Sequence, residues 1–372
     1  MITKTMCVLF SDSFAAVNNE LAAERTLATV PFASRYRLID FVLSSLVKSG
    51  VDNIGILTKE HYGSLVDHLG AGKDWDLDRR NGGLKILTPF AKADSAATRS
   101  RSKIDALLSC RAYLEDCNEE YVILSDTNIV MNIDFADLVR YHIGKDADIT
   151  VVYQKRSDAV YNGLVLDEDR DGRIVDAYYA AGQMSDCQNQ GLKVYVFNKE
   201  LLLSLLERAY TYGWTDFERD FITRNINKLR VCGYEHTGYC AVINTVGDVY
   251  KASMEMLTPA VRKEVFESKT PILTRVKNSA PTLYGFESKV KNSLIADGCV
   301  IDGTIENCVI FRGVRIEKGA VLKNCVIGQN SVIHSDAKLD CVITDKDVEI
   351  QADHVLSGYP TYPYVISKGQ VV

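Results

Sequence analysis

An internal repeat near the C-terminus restricts the possible folds of this chain more than any other feature of the sequence. Four tetrapeptides recur at offsets of 15, 17 and 16 residues. They are Asn292-Ser293-Leu294-Ile295, Asn307-Cys308-Val309-Ile310, Asn324-Cys325-Val326-Ile327 and Asp340-Cys341-Val342-Ile343. A spacing near three hexapeptides is typical of a parallel β-helix, in which stacked coils align their apolar side chains. Because the offsets fall short of about 18 residues, we expect irregular corners, and evenly spaced antiparallel strands remain the alternative.

The residues before this repeat alternate between strand-like and helix-like patterns. Runs rich in Val, Ile and Tyr predict strands at residues 5–10, 53–57, 121–124, 149–153 and 192–197. Apolar spacing predicts helices at residues 39–47, 105–114 and 200–210. This alternation predicts an α/β fold with a mostly parallel sheet covered on both faces. Ligands of such sheets bind beyond the carboxyl ends of the strands, and Asp126 follows one predicted strand.

The length and the prolines predict the domain organisation. A chain of 372 residues is too long for one ordinary core, so two domains are expected. Residues 257–285 contain three of the seven prolines, Pro259, Pro271 and Pro281. We therefore predict an α/β domain at residues 1–256, a linker at 257–285 and a β-helix domain at 286–372.

Charge, hydropathy and cysteine spacing argue against several classes of protein. With 43 basic and 49 acidic residues, the net charge of −6 argues against nonspecific nucleic-acid binding. No apolar run is long enough for a membrane span and no signal peptide is evident, which predicts a cytoplasmic protein without a membrane partner. The ten cysteines contain no Cys-x-x-Cys pair, so we expect reduced, mostly buried thiols and no zinc site.

Two neighbouring segments near the N-terminus carry contradictory signals. Residues 30–41, VPFASRYRLIDF, look like the segment that follows the phosphate loop of bacterial sugar-nucleotide pyrophosphorylases. Residues 10–21 stand where that loop belongs, but they contain no glycine, no Lys or Arg, and two acids. A triphosphate needs close backbone approach, amide donors and cations. The sequence therefore predicts that the fold is kept while the nucleotide site is lost.

Five motifs and the terminal repeat together resemble the ADP-glucose pyrophosphorylase family, whose members make ADP-glucose from glucose 1-phosphate and ATP. The motifs are Tyr36-Arg37-Leu38-Ile39-Asp40-Phe41, Asn53-Ile54-Gly55-Ile56-Leu57-Thr58, Leu124-Ser125-Asp126, Tyr195-Val196-Phe197 and Asp216-Phe217-Glu218-Arg219-Asp220. The resemblance implies a Rossmann-like nucleotidyltransferase domain of the GT-A type, with a mixed, mostly parallel sheet. It also implies that the C-terminal repeat forms a left-handed parallel β-helix.

Most catalytic positions of that family are altered in this chain. The glycine-rich loop corresponds to residues 12–17, where Asp12 would face the ATP phosphates. Of the Arg-Ala-Lys-Pro motif only Arg25 remains, and Leu27 stands at the lysine. The motifs that contact nucleotide and glucose 1-phosphate read Ser102-Lys103-Ile104-Asp105-Ala106 and Tyr179-Ala180. These changes remove cations that would spread charge in nucleotidyl transfer.

The metal site implied by the resemblance is also altered. Two aspartates of the family hold Mg²⁺, and Asp126 matches the first of them. The second position falls on Ile243 or Asn244, while Asp248 lies further along the chain and fits only after realignment. We therefore expect no cofactor and no metal in this chain, and Mg²⁺ in a catalytic partner.

All of these changes remove groups that nucleotidyl transfer needs. The chain therefore resembles the second, regulatory-type subunit that accompanies the catalytic subunit in bacterial ADP-glucose pyrophosphorylases. This implies a hetero-tetramer with a catalytic glucose-1-phosphate adenylyltransferase subunit, and little or no activity of this chain alone. The alternative is an independent sugar-1-phosphate nucleotidyltransferase with an altered site. Asp126 and Asp105 support that alternative, although such residues often cap a helix or loop. An acyltransferase-like protein would need a histidine base between coils, such as His334.

Basic residues suggest where an effector could bind. By resemblance, Arg35 and Arg37 are candidates to bind a phosphorylated metabolite or phosphate, and surface salt bridges are the alternative. A further basic segment with Ser and Ala contains Lys92, Arg99, Arg101 and Lys103. Its small polar composition favours a mobile, solvated loop over a phosphate site.

Overall fold

The computed structural model describes residues 4–12, 20–88, 102–157, 160–183, 187–267 and 271–372. By its contacts the chain divides into two compact units. The first unit comprises residues 1–16 and 42–238, and the second comprises residues 17–41 and 239–372. The second unit therefore includes two segments, 17–41 and 239–256, that the sequence assigned to the α/β domain.

The first unit is built around a nine-stranded mixed sheet. In chain order its strands are β1 Thr5–Phe10, β2 Asn53–Leu57, β3 Gly83–Leu87, β4 Tyr121–Asp126, β5 Ile149–Arg156, β6 Val160–Glu168, β7 Ile174–Gln183, β8 Gln188–Asn198 and β9 Val231–Glu235. Across the sheet the order is β7-β6-β8-β4-β1-β2-β3, and β5 pairs with both β8 and β9. The strands β3, β2, β1 and β4 run parallel, and β8 runs antiparallel to β4. All five predicted strands are present, and β8 begins earlier than predicted.

Helices accompany this sheet. Their bounds are Leu38–Lys48 (whose first turn belongs to the second unit), Gly63–Leu69, Lys103–Ser109, Arg111–Asp116, Phe135–Gly144 and Lys199–Tyr212. The last of these begins where the Asn198 side chain accepts a hydrogen bond from the Glu200 N–H, and ends at Gly213 with φ of 65°. The helix predicted at residues 105–114 is wrong as a single element. It is interrupted at Cys110, which leaves helical backbone while its thiol donates to the Leu107 carbonyl at 3.3 Å.

The C-terminal part of the second unit is the parallel β-helix that the repeat predicted, in the left-handed form that the resemblance implied. Its strands form three sheets of five, each paired in parallel, so the antiparallel alternative is wrong. The first sheet comprises Leu283–Tyr284, Val300–Ile301, Arg315–Ile316, Val332–Ile333 and Glu349–Ile350. The second comprises Lys289–Lys291, Thr304–Glu306, Val321–Lys323, Lys338–Asp340 and Val355–Ser357. The third comprises Leu294–Ile295, Val309–Ile310, Val326–Ile327, Val342–Thr344 and Tyr364–Ile366.

Register between the coils explains the repeat. Ile301, Ile316, Ile333 and Ile350 stack in one column of the buried core. Each repeated asparagine turns a corner with positive φ, which Asn tolerates better than most residues. The side chain of Asn324 donates to Asp340 at 2.9 Å, so the corner polar groups also pair from coil to coil. Apolar columns and corner ladders together produce the observed spacing.

The rest of the second unit comprises short elements. They are the helices Val246–Glu255 and Pro259–Phe266, the antiparallel strands Pro31–Phe32 and Tyr36–Arg37, and the 3-10 turns Glu20–Ala22 and Leu27–Thr29. One helix therefore lies inside the segment predicted as a linker. The Tyr36 and Phe266 rings stack with centroids 5.1 Å apart, which joins segment 17–41 to this helix.

Every cysteine is free, and eight of the ten are buried, as predicted; Cys117 is half-buried and Cys187 is exposed. Among the residues that the structure describes, no helix is long and apolar enough to cross a membrane.

Candidate functional site

Asp126 and Lys103 form a buried ion pair at the carboxyl ends of two parallel strands. Asp126 ends β4 and lies in register with Phe10, the last residue of β1. The Lys103 Nζ is 2.6 Å from Asp126 Oδ1, and the two side chains are only 10% and 2% exposed. The same ammonium lies 5.1 Å from the centroid of the Phe10 ring. The carboxylate that resembles a metal ligand is therefore already paired with a cation of the chain.

While Lys103 is in place, the surroundings of Asp126 do not fit a divalent cation. Mg²⁺ requires about six oxygen ligands in octahedral geometry. In the described part of the chain, no group of three or more His, Cys, Asp or Glu side chains is placed to hold a metal ion. The Lys103 ammonium also occupies the position beside Oδ1, where it would repel a second cation.

Lys103 corrects one sequence-based prediction. It begins the helix Lys103–Ser109 and is nearly buried, whereas the sequence suggested a solvated loop residue. The other basic residues of that segment, Lys92, Arg99 and Arg101, lie outside the described residues, as do residues 13–19 of the altered glycine loop. Asp12 is described, and its carboxylate accepts a hydrogen bond from the Ser11 hydroxyl at 3.3 Å.

Asp105 caps the helix that Lys103 begins. Its backbone N–H donates to the Ser102 hydroxyl at 3.1 Å, and its carboxylate accepts from the Ser102 N–H at 3.2 Å. This reciprocal pair is a capping box, which satisfies N–H groups that the first turn leaves open. The sequence analysis considered helix capping as the structural role of Asp105, and the structure shows this role. The capping box also fixes the backbone from which the Lys103 side chain extends.

Tyr195 belongs to one of the motifs that carry the family resemblance, and its charge environment includes Asp126. Nothing in the sequence indicated the hydrogen bond that it makes. The Tyr195 hydroxyl, from β8, donates to Glu218 Oε1 at 2.7 Å. Complete burial, and then the Glu218 and Asp126 carboxylates, raise the pKa of Tyr195 well above its usual range. This phenol is therefore neutral, and it adds no cation for a phosphate.

The sugar-phosphate position on β7 carries no cation either. Tyr179 is 58% exposed, and Ala180 follows it where the family has a lysine. Burial raises the pKa of Tyr179, with Glu218 adding to the shift. An exposed neutral ring cannot replace a lysine as a partner for phosphate.

In the second unit, Arg25 is bound to a carboxylate of the β-helix. Its two terminal nitrogens donate to Asp345 Oδ1 at 2.9 Å and Oδ2 at 2.7 Å. Both side chains are at least nine-tenths buried. The bidentate pair uses the Arg25 groups that would otherwise bind a phosphate.

Asp248 also has a structural role. It is the third residue of the helix Val246–Glu255, and its carboxylate accepts hydrogen bonds from the Asn244 and Thr245 N–H groups at 2.9 and 2.8 Å. Ile243, where a metal ligand would be needed, is completely buried. The realignment that would make Asp248 a ligand therefore competes with a capping box.

Lys346 is largely buried, and other cations of the second unit repel its charge. Burial, and then repulsion from Arg37 and Arg25, lower the pKa of Lys346 to about 8, although Asp345 acts in the opposite direction. Lys277 adds to the repulsion. Arg25 is bound to Asp345, and we call the other three cations of this group, Arg37, Lys277 and Lys346, the Lys346 cluster.

Further cations extend this cluster. Burial, and then the charges of Arg312, Arg275 and Arg37, lower the pKa of Lys277. Arg312 is paired with Asp297 at 3.0 Å. Because these like charges repel one another, an anion bound among them would lower the free energy of the unit. The Lys346 cluster is therefore the strongest candidate anion site among the described residues.

Of the two predicted effector residues, Arg37 is the one whose charge lowers the pKa of both Lys346 and Lys277. Arg35 is exposed, with its guanidinium 5.2 Å from the centroid of the Tyr36 ring. Arg35 also donates to the Tyr36 hydroxyl at 3.2 Å. A planar guanidinium held against a ring stays available to a ligand on its other side.

His334 lies on the β-helix between two glutamates, with Nδ1 3.2 Å from Glu317 and Nε2 2.9 Å from Glu349. Hydrogen bonding to Glu349, and then to Glu317, raises its pKa. A histidine held in this way between acids is a surface ion pair and lacks the arrangement of a catalytic base.

The raised pKa of His334 predicts a small pH dependence of stability. A raised folded-state pKa contributes stability that is present below the unfolded pKa of about 6.5 and is lost as the pH rises through the folded value. We expect His334→Gln to lower the free energy of unfolding by less than about 1 kcal/mol at acidic pH and to have no effect at about pH 8.5. Denaturant titrations of both proteins at the two pH values test this. An equal effect at both would contradict the ion-pair assignment.

Comparison with known proteins agrees with the fold described above. A family model described as nucleotidyl transferase matches residues 20–241, and one described as GlmU-like, C-terminal hexapeptide matches residues 282–359. The chain is 36% identical to the glycogen biosynthesis protein GlgD of Bacillus subtilis (strain 168), across 95% of this chain and 92% of that protein. It is 35% identical to GlgD of Geobacillus stearothermophilus, across 100% and 98% of the two chains. It is 31% identical to the glucose-1-phosphate adenylyltransferase of the same organism, across 87% and 84%.

Proposed function

Because this chain belongs to the nucleotidyl transferase family, and within it to the group of GlgD proteins and glucose-1-phosphate adenylyltransferases, we propose that it is a regulatory subunit in glycogen biosynthesis. It assembles with a catalytic glucose-1-phosphate adenylyltransferase subunit into a hetero-tetramer in the cytoplasm. It has little or no activity of its own, and the Mg²⁺ of the reaction is held by the catalytic partner.

Side chains at positions that resemble the family's catalytic residues support this lack of activity, because they are already bound within the chain. Asp126 is paired with Lys103, and Arg25 with Asp345. Asp105 and Asp248 cap helices. Adenylyl transfer depends on cations placed around the phosphates, and Arg25, the one cation among these four residues, is already bound to a carboxylate. This argument weighs against the alternative of an independently active nucleotidyltransferase.

The observation that carries the regulatory role is the Lys346 cluster. Arg37, Lys277 and Lys346 repel one another electrostatically within the second unit, whereas Asp126 belongs to the first unit. Their mutual repulsion costs folding free energy unless an anion binds. Phosphate or a phosphorylated metabolite matches this charge, and Arg35 and Arg37 are the proposed contacts from segment 17–41. Binding there can shift a partner between two states by about 1–3 kcal/mol.

Exposed apolar side chains support assembly. Tyr210 and Tyr212 of the first unit are 79% and 68% exposed, and Phe286 of the β-helix is fully exposed. Exposed aromatic rings of this size are typical of surfaces that bind another protein. If the two subunits elute separately at micromolar concentration in size-exclusion chromatography, the proposed hetero-oligomer is wrong.

The proposed function predicts the outcome of one assay. ADP-glucose formation is measured for this chain alone, for a catalytic homologue alone and for the mixture. We expect this chain alone to be slower than the homologue by at least about 1,000-fold, because several transition-state contacts are lost. We expect the mixture to be more active than the homologue and to respond differently to phosphorylated effectors. Turnover by this chain alone that matches the homologue, and that Asp126→Ala abolishes, would contradict the proposal.

A further inference from the structure

We propose that the Lys103 ammonium is a built-in replacement for a divalent cation at Asp126, and that it excludes metal from this carboxylate. The inference deepens the proposed function, on which it rests for the view that Asp126 is a former metal ligand. It assigns Lys103 a specific role that the sequence pattern did not indicate. The role follows from the position, burial and charge of the pair.

Lys103 lies where it compensates the buried negative charge of Asp126. Asp126 is completely enclosed at the end of β4, and a carboxylate in such a place is costly unless a cation pairs with it. In an enzyme that uses metal at this position, the cation comes from solution. Here it comes from the chain itself, at 2.6 Å, so the buried charge is compensated at every metal concentration.

The ammonium is held in place by its surroundings. The Ser102–Asp105 capping box fixes the first turn of the helix from which Lys103 extends. The Phe10 ring contacts the ammonium from β1, and the side chain is only 10% exposed. A lysine that is confined in this way has lost most of its rotamer freedom, so it cannot withdraw easily to admit a metal.

The second oxygen of Asp126, Oδ2, is buried. Among the residues that the structure describes, none donates a hydrogen bond to Oδ2. When the ammonium is removed, both carboxylate oxygens can therefore bind a cation from solution. This makes the role of Lys103 testable, because a metal should compensate for its loss.

The experiment uses Mn²⁺ alone as the probe and needs no enzymatic activity. Thermal unfolding of the full chain is measured with and without about 10 mM Mn²⁺ for the parent, Lys103→Met, Lys103→Arg, and the double variant Lys103→Met/Asp126→Asn. We expect the loss of the ammonium in Lys103→Met to lower the unfolding temperature by about 10 °C, because it leaves a buried carboxylate unpaired. Mn²⁺, bound through the freed Asp126 carboxylate with water in its other coordination positions, should restore part of that loss. The parent, Lys103→Arg and the double variant should respond to Mn²⁺ no more than to an equal ionic strength of KCl.

A second measurement keeps the test independent of how well Lys103→Met folds. Mn²⁺ is titrated into the parent and into Asp126→Asn, and its binding is followed by electron paramagnetic resonance. The two proteins should bind the same amount of Mn²⁺, because Asp126 of the parent binds none. Mn²⁺ binding to the parent through Asp126 would overturn the inference. So would a Lys103→Met protein that folds but gains no more from Mn²⁺ than the double variant. Either result would leave the regulatory role to be judged separately by the mixing assay.

Discussion

Replacing Arg25 with alanine is expected to lower the free energy of unfolding of the second unit by about 3–5 kcal/mol, because it leaves Asp345 buried without a counter-charge. The pair makes two hydrogen bonds, and its partners are 320 residues apart in the chain. Its loss should therefore release segment 17–41 from the β-helix. Denaturant unfolding followed by circular dichroism measures the free energy, and hydrogen exchange of residues 20–41 measures the release.

A matched pair of variants distinguishes this structural role of Arg25 from a role in binding a ligand. Arg25→Met should destabilise the unit strongly, whereas Arg25→Met combined with Asp345→Asn should recover much of the loss, since no unpaired charge remains. Asn at position 345 can still accept the hydrogen bond that the Lys346 N–H donates at 2.8 Å. If Arg25→Ala leaves stability unchanged and alters only ligand binding, the structural assignment of Arg25 is wrong.

Replacing both Arg37 and Lys346 with alanine is expected to weaken the binding of inorganic phosphate or a phosphorylated effector by about 100-fold. Each charge-assisted contact to an anion contributes about 1.5–3 kcal/mol, and about 1.4 kcal/mol corresponds to a tenfold change. Isothermal titration calorimetry with phosphate and with sugar phosphates measures the affinity. Arg35→Ala, measured alongside, determines whether the exposed guanidinium also contacts the ligand.

Stability provides the control for this second prediction. Removing Lys346 relieves repulsion with Arg37 and Lys277, so the free energy of unfolding should stay equal or rise. Lys318→Ala serves as a matched surface variant, because this exposed lysine of the same unit pairs with Glu287 and should not affect anion binding. If the double variant binds every tested anion like the parent, the effector site lies elsewhere.

The lowered pKa of Lys346 gives the same site a pH dependence with a definite sign. At about pH 9 this lysine is mostly neutral in the free protein, because its pKa is about 8. A bound anion favours the charged form and raises that pKa, so binding takes up a proton. Anion affinity should therefore increase as the pH falls from about 9 to 7, and this dependence should be smaller in Lys346→Ala.

Several parts of the fold could be predicted because their signals are local. Strands such as 53–57 are short apolar runs, and the helix at residues 200–210 has a clear apolar spacing, so each can be recognised without its neighbours. The β-helix could be predicted because every coil repeats the same pattern and meets a copy of itself. The break at Cys110 was missed, because residues 105–114 carry one continuous helical pattern.

The candidate site could be predicted only in part. The sequence alone established that Asp126 follows a strand, that the glycine loop is absent and that Arg25 and Arg37 remain. It also showed that uncharged side chains, Leu27 and Ala180, stand where the resemblance would place phosphate-binding lysines. These conclusions need only the identity of each residue at its position in the chain.

Only the tertiary structure decided which charges meet. Lys103 was assigned to a solvated loop, yet it neutralises Asp126, and Arg25 is bound to Asp345 rather than left for a phosphate. The charge of Arg37 also lowers the pKa of Lys346 and Lys277, although the three residues are distant in sequence. An ion pair between remote positions leaves no periodic or compositional signal, because its free energy depends on the distance and burial that the folded chain creates.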